Sequence, residues 1–422
     1  MISRISLSNF FSIKDEVVID LRAANINSKN ARLLPDNIFS YNDVEFLKTI
    51  IIYGANASGK SNVVKAIRFC CIMILNSANH NENVVFNYRK FKFSNCENKP
   101  SNFCINFIEE GIEYEYSFSI MQNKILTESL YYSPKGRIKK VFVRDEQKKG
   151  SKKEKYSFGS EIKRPFDVVE NTSDKTLYLS RASQMDRDIA KKLFRYFNDT
   201  FVLAYLGHNA LQVEVLFDTY KKQLLEALQI ADSDIVDIKI KKIQTQGKRV
   251  NLNITDEGVN FGKLEDVIQE HLQIKTYHKI DHKKSFDLFT EESEGTKKLF
   301  MIMLSILDIV ANNKVLLIDE IGESLHSDII EYIFNLFKAS KKAQLICTTH
   351  NTHFLDLTKF RKDQFCFVNK REDASSDLYS LYDYSDFRDT MNLEKAYLQG
   401  RFDAVPFIND SIENLKRLID DK

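Results

Sequence analysis

Gly54-Ala-Asn-Ala-Ser-Gly-Lys60-Ser61 follows an apolar run, Ile50-Ile51-Ile52-Tyr53, and precedes Asn62-Val-Val-Lys-Ala-Ile67. The spacing fits G-x-x-x-x-G-K-[ST] without a mismatch, and the flanks predict strand, glycine loop, helix. Each residue type has a chemical reason. Gly54 and Gly59 let the backbone curl so that the amides across Asn56, Ala57 and Ser58 face phosphate oxygens. Lys60 reaches the outer phosphates as a point charge, and the Ser61 hydroxyl can ligate Mg²⁺. The helix that opens with Ser61 and Asn62 aims its positive end at the anion.

A second stretch, Val315-Leu-Leu-Ile-Asp319-Glu320, is an apolar strand ending in two acids. At the carboxyl end of a parallel strand such acids lie beside a phosphate loop. Asp319 can then hold Mg²⁺, and Glu320 can orient and deprotonate an attacking water. Thr348-Thr349-His350 closes the next strand, where a histidine can sense a γ-phosphate. Glu292-Ser293-Glu294-Gly295-Thr296 precedes an apolar helix, a small hydroxyl- and glycine-bearing loop suited to an anion but also to ordinary capping.

The elements that must position these residues follow from periodicity. Residues 2–7 and 16–21 read as a strand pair and 22–46 as a polar loop. Residues 47–53 form the strand before the glycine loop, whose helix runs to about Leu75. Residues 84–145 alternate strictly, with turns at Gly111, Gln122-Asn123 and Pro134–Gly136, which predicts an antiparallel sheet. Residues 174–231 return to a helical period. Strands are expected at 234–243 and 249–254, and a helix near 264–274. From 286 onward helices alternate with strands at 314–320, 343–348 and 364–368, the pattern of a mostly parallel sheet. The fold expected is α/β, with four segments: 1–75, the first half of the core; 76–170, an antiparallel β subdomain; 171–285, an inserted helical or mixed lobe; and 286–422, the second half.

Composition narrows the class. A chain of 422 residues with 43% hydrophobic residues can bury a large core. Its net charge of only +2 confines any nucleic-acid contact to local patches, above all the lysine-rich stretch Lys139–Arg164, an exposed hairpin or mobile loop. Six cysteines without C-x-x-C spacing read as small core residues in a reducing compartment. The start is not a signal peptide, and no run of about 18 uncharged apolar residues exists. A cytoplasmic protein with no membrane partner is expected. His278 and His282 make a poor zinc site, with no third ligand suggested, and read as a surface pair among lysines.

The order of parts resembles the ABC/SMC-type ATPases: phosphate loop, long insertion, Ser-x-Gly signature, Asp-Glu strand, switch histidine. The resemblance implies ATP and Mg²⁺ as ligands, with Lys60, Glu320 and His350 catalytic and Asp319 and Ser61 on the metal. It also implies a homodimer in which Ser293 and Gly295 of one copy cap the γ-phosphate held by the other. The loop Glu320-Ile-Gly-Glu-Ser-Leu-His326 would cross that interface. Five stretches narrow the similarity to compact bacterial ATPases of abortive-infection and other phage-defence systems: 51–66, 292–300, 318–326, 344–352 and 397–406. This group includes the PARIS, AbiL and Septu ATPase subunits and RloA-like proteins. It implies a sensor or scaffold that controls a separately encoded effector, a toxic nuclease. Gly322 and Ser327 depart from the acid and proline common in the family. The family's Q-loop glutamine has two candidates, Gln184 and, less well placed, Gln122.

Two competing expectations remain. A DNA-binding repair ATPase would use the lysine run, but the helices at 186–231 are too short and irregular for a heptad coiled coil. A nuclease centre within the chain would need converging carboxylates. The acids after His350 (Asp363, Glu372, Asp373, Asp377, Asp383, Asp386 and Asp389) are instead scattered through polar turns.

Overall fold

Apolar alternation at the N-terminus builds β1 (Ile2–Ser8) and β2 (Val17–Asp20). The segment expected as loop contains helix α1 (Lys29–Arg32) and the hairpin β3 (Ile38–Tyr41) with β4 (Val44–Leu47), where Phe39 and Phe46 stack. The fully buried β5 (Thr49–Gly54) follows, then α2 (Lys60–Asn76). Next come β6 (Ser101–Glu109), β7 (Ile112–Met121), β8 (Lys124–Ser133), β9 (Lys139–Asp145) and β10 (Tyr156–Phe158). Helices α3 (Pro165–Glu170), α4 (Tyr178–Gln184) and α5 (Asp188–Thr200) lead into β11 (Phe201–Leu203). Then follow α6 (Ala210–Ile230), β12 (Ile235–Thr255), β13 (Gly258–His278), β14 (Asp281–Asp287) and α7 (Glu294–Ala311). The chain finishes with β15 (Val315–Ile318), α8 (Ser327–Ala339), β16 (Gln344–Thr348), β17 (Phe365–Lys370), β18 (Ser376–Ser380) and α9 (Leu393–Leu398). This computed structural model describes every residue except 81–82, 204–209, 231–233, 256–257, 323–324, 389–390, 406–411, 413–418 and 420–422.

The chain divides into two units. The first comprises Met1–Ala204, Asn312–Glu323 and Ile333–Lys422, and the second Tyr205–Ala311 and Ser324–Tyr332. The first unit holds two sheets. One is antiparallel, in the order β10-β9-β8-β7-β6-β1-β2; the other runs β11-β15-β16-β5-β17-β18 and is parallel except at β18. The mostly parallel core and the antiparallel subdomain are thus as the sequence predicts. Turns at Glu110-Gly111 and Gln122-Asn123 have positive φ at both residues, as tight hairpins require. One continuous core includes α2 (Val63, Ile67, Cys70, Ile74) together with inward residues of both sheets. Gln344, fully buried, ties the sheets together. Its side chain accepts from the Ile2 amide at 2.8 Å and donates to the Ile2 carbonyl at 3.0 Å.

Three expectations are corrected. The first strand pair belongs to the antiparallel sheet, because β1 pairs with β6 a hundred residues on. Helices α3–α5 and β11 belong to the first unit rather than to an inserted lobe beginning at 171, since β11 lies parallel to β15 at the core sheet's edge. Residues 264–274 form strand, not helix. Apolar residues there fit a helical period locally, but antiparallel pairing with β12 runs along the whole segment, from Thr255↔Gly258 to Ile235↔His278. Non-local pairing outweighs a local period of that length. The second unit therefore combines α6 and α7 with a long β-hairpin.

The span Lys60–Asn79 is long and apolar enough by composition to cross a membrane, which the uncharged-run criterion passes over because Lys60, Lys65 and Arg68 interrupt it. Most of its apolar side chains are buried in the core of the first unit, Ile72 being exposed.

Candidate nucleotide-binding site

The parallel register brings the two sequence motifs together. Ile318 is level with Cys347, and Cys347 with Ile51, so Asp319 follows its strand level with Thr348 and Ile52, two residues before β5 ends at Gly54. β16 lies between β15 and β5, which puts Asp319 about 10 Å from the glycine-loop strand, two strand spacings away. The segment after β16, carrying His350, emerges between the loop and the acids.

The loop itself is strained in the way its composition allows. Ala57 has φ 61° and Gly59 has φ 112°. At Gly59 a Cβ would lie 2.0 Å from Ser376 Oγ, so the position requires glycine on grounds of both conformation and space. A Cβ on Gly54 would lie 2.5 Å from the Val368 carbonyl. Asn56 and Ala57 are exposed at the crest, whereas Ser58 is buried with its hydroxyl unpartnered. Lys60 is buried and arches back over the loop, its Nζ donating to the Gly54 carbonyl at 2.8 Å and the Ala55 carbonyl at 3.0 Å. Burial pushes its ammonium below the ordinary lysine range, and the charges of Glu320 and Asp319 pull it back up. Ser61 and Asn62, both half-buried, occupy the first turn of α2, and Asn62 Nδ2 donates to Ser12 Oγ at 2.7 Å.

Across from the loop, Thr348 organises both acids. Its hydroxyl, on a fully buried residue, donates to Asp319 Oδ1 at 2.6 Å and accepts from the Glu320 amide at 2.8 Å. Glu320 has φ 55°, an uncommon conformation for a residue with a Cβ, held by that bond and by the Ile321 amide on the Thr348 carbonyl at 3.0 Å. The Glu320 carboxylate stands 3.5 Å from His350 Nε2, both side chains near half exposure. Burial, and after it the Lys60 charge, hold the His350 imidazole below the usual histidine range, while Glu320 acts in the opposite sense. A cation, two carboxylates and an imidazole thus converge on one mouth of the sheet.

The serine loop lies in the second unit. Ser293 caps α7, its Oγ accepting from the Thr296 amide at 3.1 Å and lying 2.8 Å from Thr296 Oγ1. Ser293 is exposed, and a Cβ on Gly295 would meet nothing nearer than Ser293 Oγ at 3.7 Å. The preceding Glu292 is anchored by the Thr276 hydroxyl and by His278 Nε2 at 2.8 Å. His278 is therefore not a surface partner of His282 but a link between β13 and the serine loop.

Other expected residues fall elsewhere. Gln184 lies on α4, accepting from Arg181 at 2.8 Å and donating to Asn79 at 2.9 Å. Asn79 follows the far end of α2, a helix about 25 Å long, so Gln184 is not at the glycine loop. Gln122 sits in the β7–β8 turn. Within the lysine-rich stretch Arg144 is not exposed. It faces inward across from Glu128, and its guanidinium donates to Glu146 at 2.8 Å and the Thr176 carbonyl at 2.7 Å. Lys153 pairs with Glu170 and Lys155 with Glu146, leaving Lys139, Lys148, Lys149, Lys163 and Arg164 on the exposed β9–β10 edge. Of the acids after His350, Asp363 pairs with Arg361, Asp373 with Lys14 and Asp377 with Arg371; Asp389 lies outside the described residues. The partners missed by sequence reading are Thr348 as orienter of both acids, and Ser12 and Ser376 behind the loop.

No curated protein matches the chain. Among solved structures it is similar to an SMC head bound to the C-terminal winged-helix domain of ScpA, at 17% identity over 94% of this chain and 99% of that one, with a TM-score of 0.39. It is also similar to the SMC head domain from Thermotoga maritima, at 14% identity over 90% and 98%, with a TM-score of 0.36. The family model described as "AAA domain, putative AbiEii toxin, Type IV TA system" matches residues 50–356, well over half of the chain. With a glycine loop, paired acids and a histidine on one sheet edge inside that span, the chain belongs to this AAA-domain family of nucleotide-binding ATPases.

Proposed function

We propose that this chain is an ABC-type ATPase that binds ATP in the glycine loop and hydrolyses it between two copies of itself. The observation that carries the reading is the convergence of Lys60, Asp319, Glu320 and His350 at the carboxyl ends of neighbouring parallel strands. The amides from Asn56 to Lys60 and the start of α2 hold the phosphates, with Lys60 moving from its carbonyl contacts to the outer oxygens. Oxygen donors from Ser61 and Asp319, the latter already oriented by Thr348, suit a hard divalent cation, and they would hold Mg²⁺. When bound, that ion neutralises charge building on the phosphates. Glu320 positions water and accepts its proton, and His350, kept neutral near pH 7, hydrogen-bonds the γ-phosphate. Ser293 and Gly295 of a second copy complete the site, for which the exposure of Ser293 leaves room.

We further assign the molecule to anti-phage abortive infection, as the sensor or scaffold subunit that restrains a separate toxic effector in the cytoplasm. The sequence resemblance supports that role, and the family description, which names a putative AbiEii toxin of a type IV TA system, supports the abortive-infection setting. The test is ATP hydrolysis by the purified chain, followed by co-purification with the product of its neighbouring gene. Loss of hydrolysis and of effector release in Lys60→Ala and Glu320→Gln is expected. Indifference of both to these changes overturns the reading. The exposed cations of the β9–β10 edge favour a second reading, a DNA-stimulated repair ATPase. It predicts DNA binding that weakens steeply with salt.

A further inference from the structure

We propose that Ser12 and Ser376 are positioning residues of the phosphate loop, joined in one hydrogen-bonded cluster, centred on Ser376, that sets the peptide between Ser58 and Gly59. The inference rests on the ATP-binding reading above. Asn62 Nδ2 donates to Ser12 Oγ at 2.7 Å, and Ser12 Oγ lies 2.7 Å from Ser376 Oγ. Ser376 Oγ in turn lies 2.5 Å from the Ser58 carbonyl oxygen. An N–H can only donate and a carbonyl oxygen can only accept, so Ser12 accepts from Asn62 and Ser376 donates to Ser58. Ser376 Oγ is also placed to donate to Ser12, so the Ser376 hydroxyl is the centre of the cluster.

The consequence lies in the peptide plane. A trans peptide holds its C=O and N–H pointing opposite ways. Fixing the Ser58 carbonyl toward Ser376 therefore aims the Gly59 amide away from the serine pair, as an amide that is to face a phosphate must be. The cluster also explains the absolute need for glycine at 59, because Ser376 and Ser12 oxygens would lie 2.0 and 2.7 Å from a Cβ there. Ser12 and Ser376 come from opposite ends of the chain. Ser376 N donates to the Ser12 carbonyl at 2.7 Å, and Ile13 and Ser376 form a parallel bridge. Two outlying ion pairs, Lys14 with Asp373 at 2.8 Å and Arg371 with Asp15 at 3.1 Å, flank the contact. These are exposed pairs and add little; the buried hydroxyl of Ser376 carries the effect.

The experiment uses the full-length chain with Mg²⁺ and a fluorescent N-methylanthraniloyl-ADP probe. Ser376→Ala and Ser12→Ala are each expected to weaken probe binding about five- to tenfold, the loss of a hydrogen bond to a buried acceptor, with the maximal hydrolysis rate changed less than twofold. Because Ser12 reaches the Ser58 carbonyl only through Ser376, the double variant is expected to be no weaker than Ser376→Ala alone. Ser380→Ala, on the same strand and bonded only to its own turn, is the control and should bind as the unchanged chain does. Unaltered binding in Ser376→Ala, or losses that multiply in the double variant, overturns the positioning role. Absence of probe binding by the unchanged chain overturns the proposed function, and this inference with it.

Discussion

Two loops in this molecule open helices and are candidates to meet phosphate, yet they are built in opposite ways. The glycine loop before α2 is held from outside. Lys60 is buried, Ala57 and Gly59 are left-handed, and side chains from residues 12 and 376 clamp its backbone. The serine loop before α7 caps itself through Thr296, and only Glu292, one residue before, is anchored, to Thr276 and His278. Its Ser293 is exposed and Gly295 half-buried, a Cβ there meeting nothing nearer than Ser293 Oγ at 3.7 Å. The difference fits the proposed division of labour, in which the first loop retains a ligand and the second presents itself to one.

The largest expected effect sharpens the retaining side. Glu320→Gln should slow hydrolysis by about 10²–10⁴, the scale of a lost general base, while ATP binding persists; equilibrium nucleotide binding beside a phosphate-release assay separates the two. Ser293→Arg tests the presenting side. Hydrolysis should fall about 10²-fold or more, comparable to losing a positioned donor at a developing charge. Nucleotide affinity of the single copy should stay within about twofold, since in the proposed arrangement Ser293 acts on the nucleotide held by a second copy. A loss of affinity equal to the loss of rate would break the comparison. Thr348→Val removes the donor to Asp319 and leaves the Glu320 amide unpaired. A fall in stability of about 1–3 kcal/mol is expected from that buried loss, read by denaturant unfolding, with hydrolysis reduced about tenfold. The smallest effect belongs to Glu292→Gln, which weakens one anchor of the serine loop. Hydrolysis should drop about fivefold, near one hydrogen bond's worth, with nucleotide affinity unchanged.

What could be read from sequence was local. β5, α2, β15 and β16 fall within a residue or two of expectation, because each is a short apolar run or helical stripe bounded by a motif or turn. The side chains that converge on the candidate site could be named for the same reason, since glycine loop and acids announce themselves by spacing. What escaped was set by distance along the chain. β1 finds its partner at 102–107, β11 its place beside β15, and 264–274 its strand register with β12. Thr348 looks like any residue ending a strand until the neighbouring strand brings Asp319 within 2.6 Å. Ser12 and Ser376 carry no local signal at all. Arg144 was misplaced because a charge among lysines reads as surface, whereas the alternation of β9 turns it inward against Glu128.

The central claim is that a nucleotide held by one copy is completed by the serine loop of another. Mixing Lys60→Ala chains with Ser293→Arg chains tests it most directly. Each variant alone should be inactive, because every site lacks either its lysine or its serine. In a two-fold pair containing one of each, one site regains both, so an equal mixture should recover about a quarter of normal hydrolysis. A mixture that exchanges subunits yet stays as inactive as its components would contradict the account.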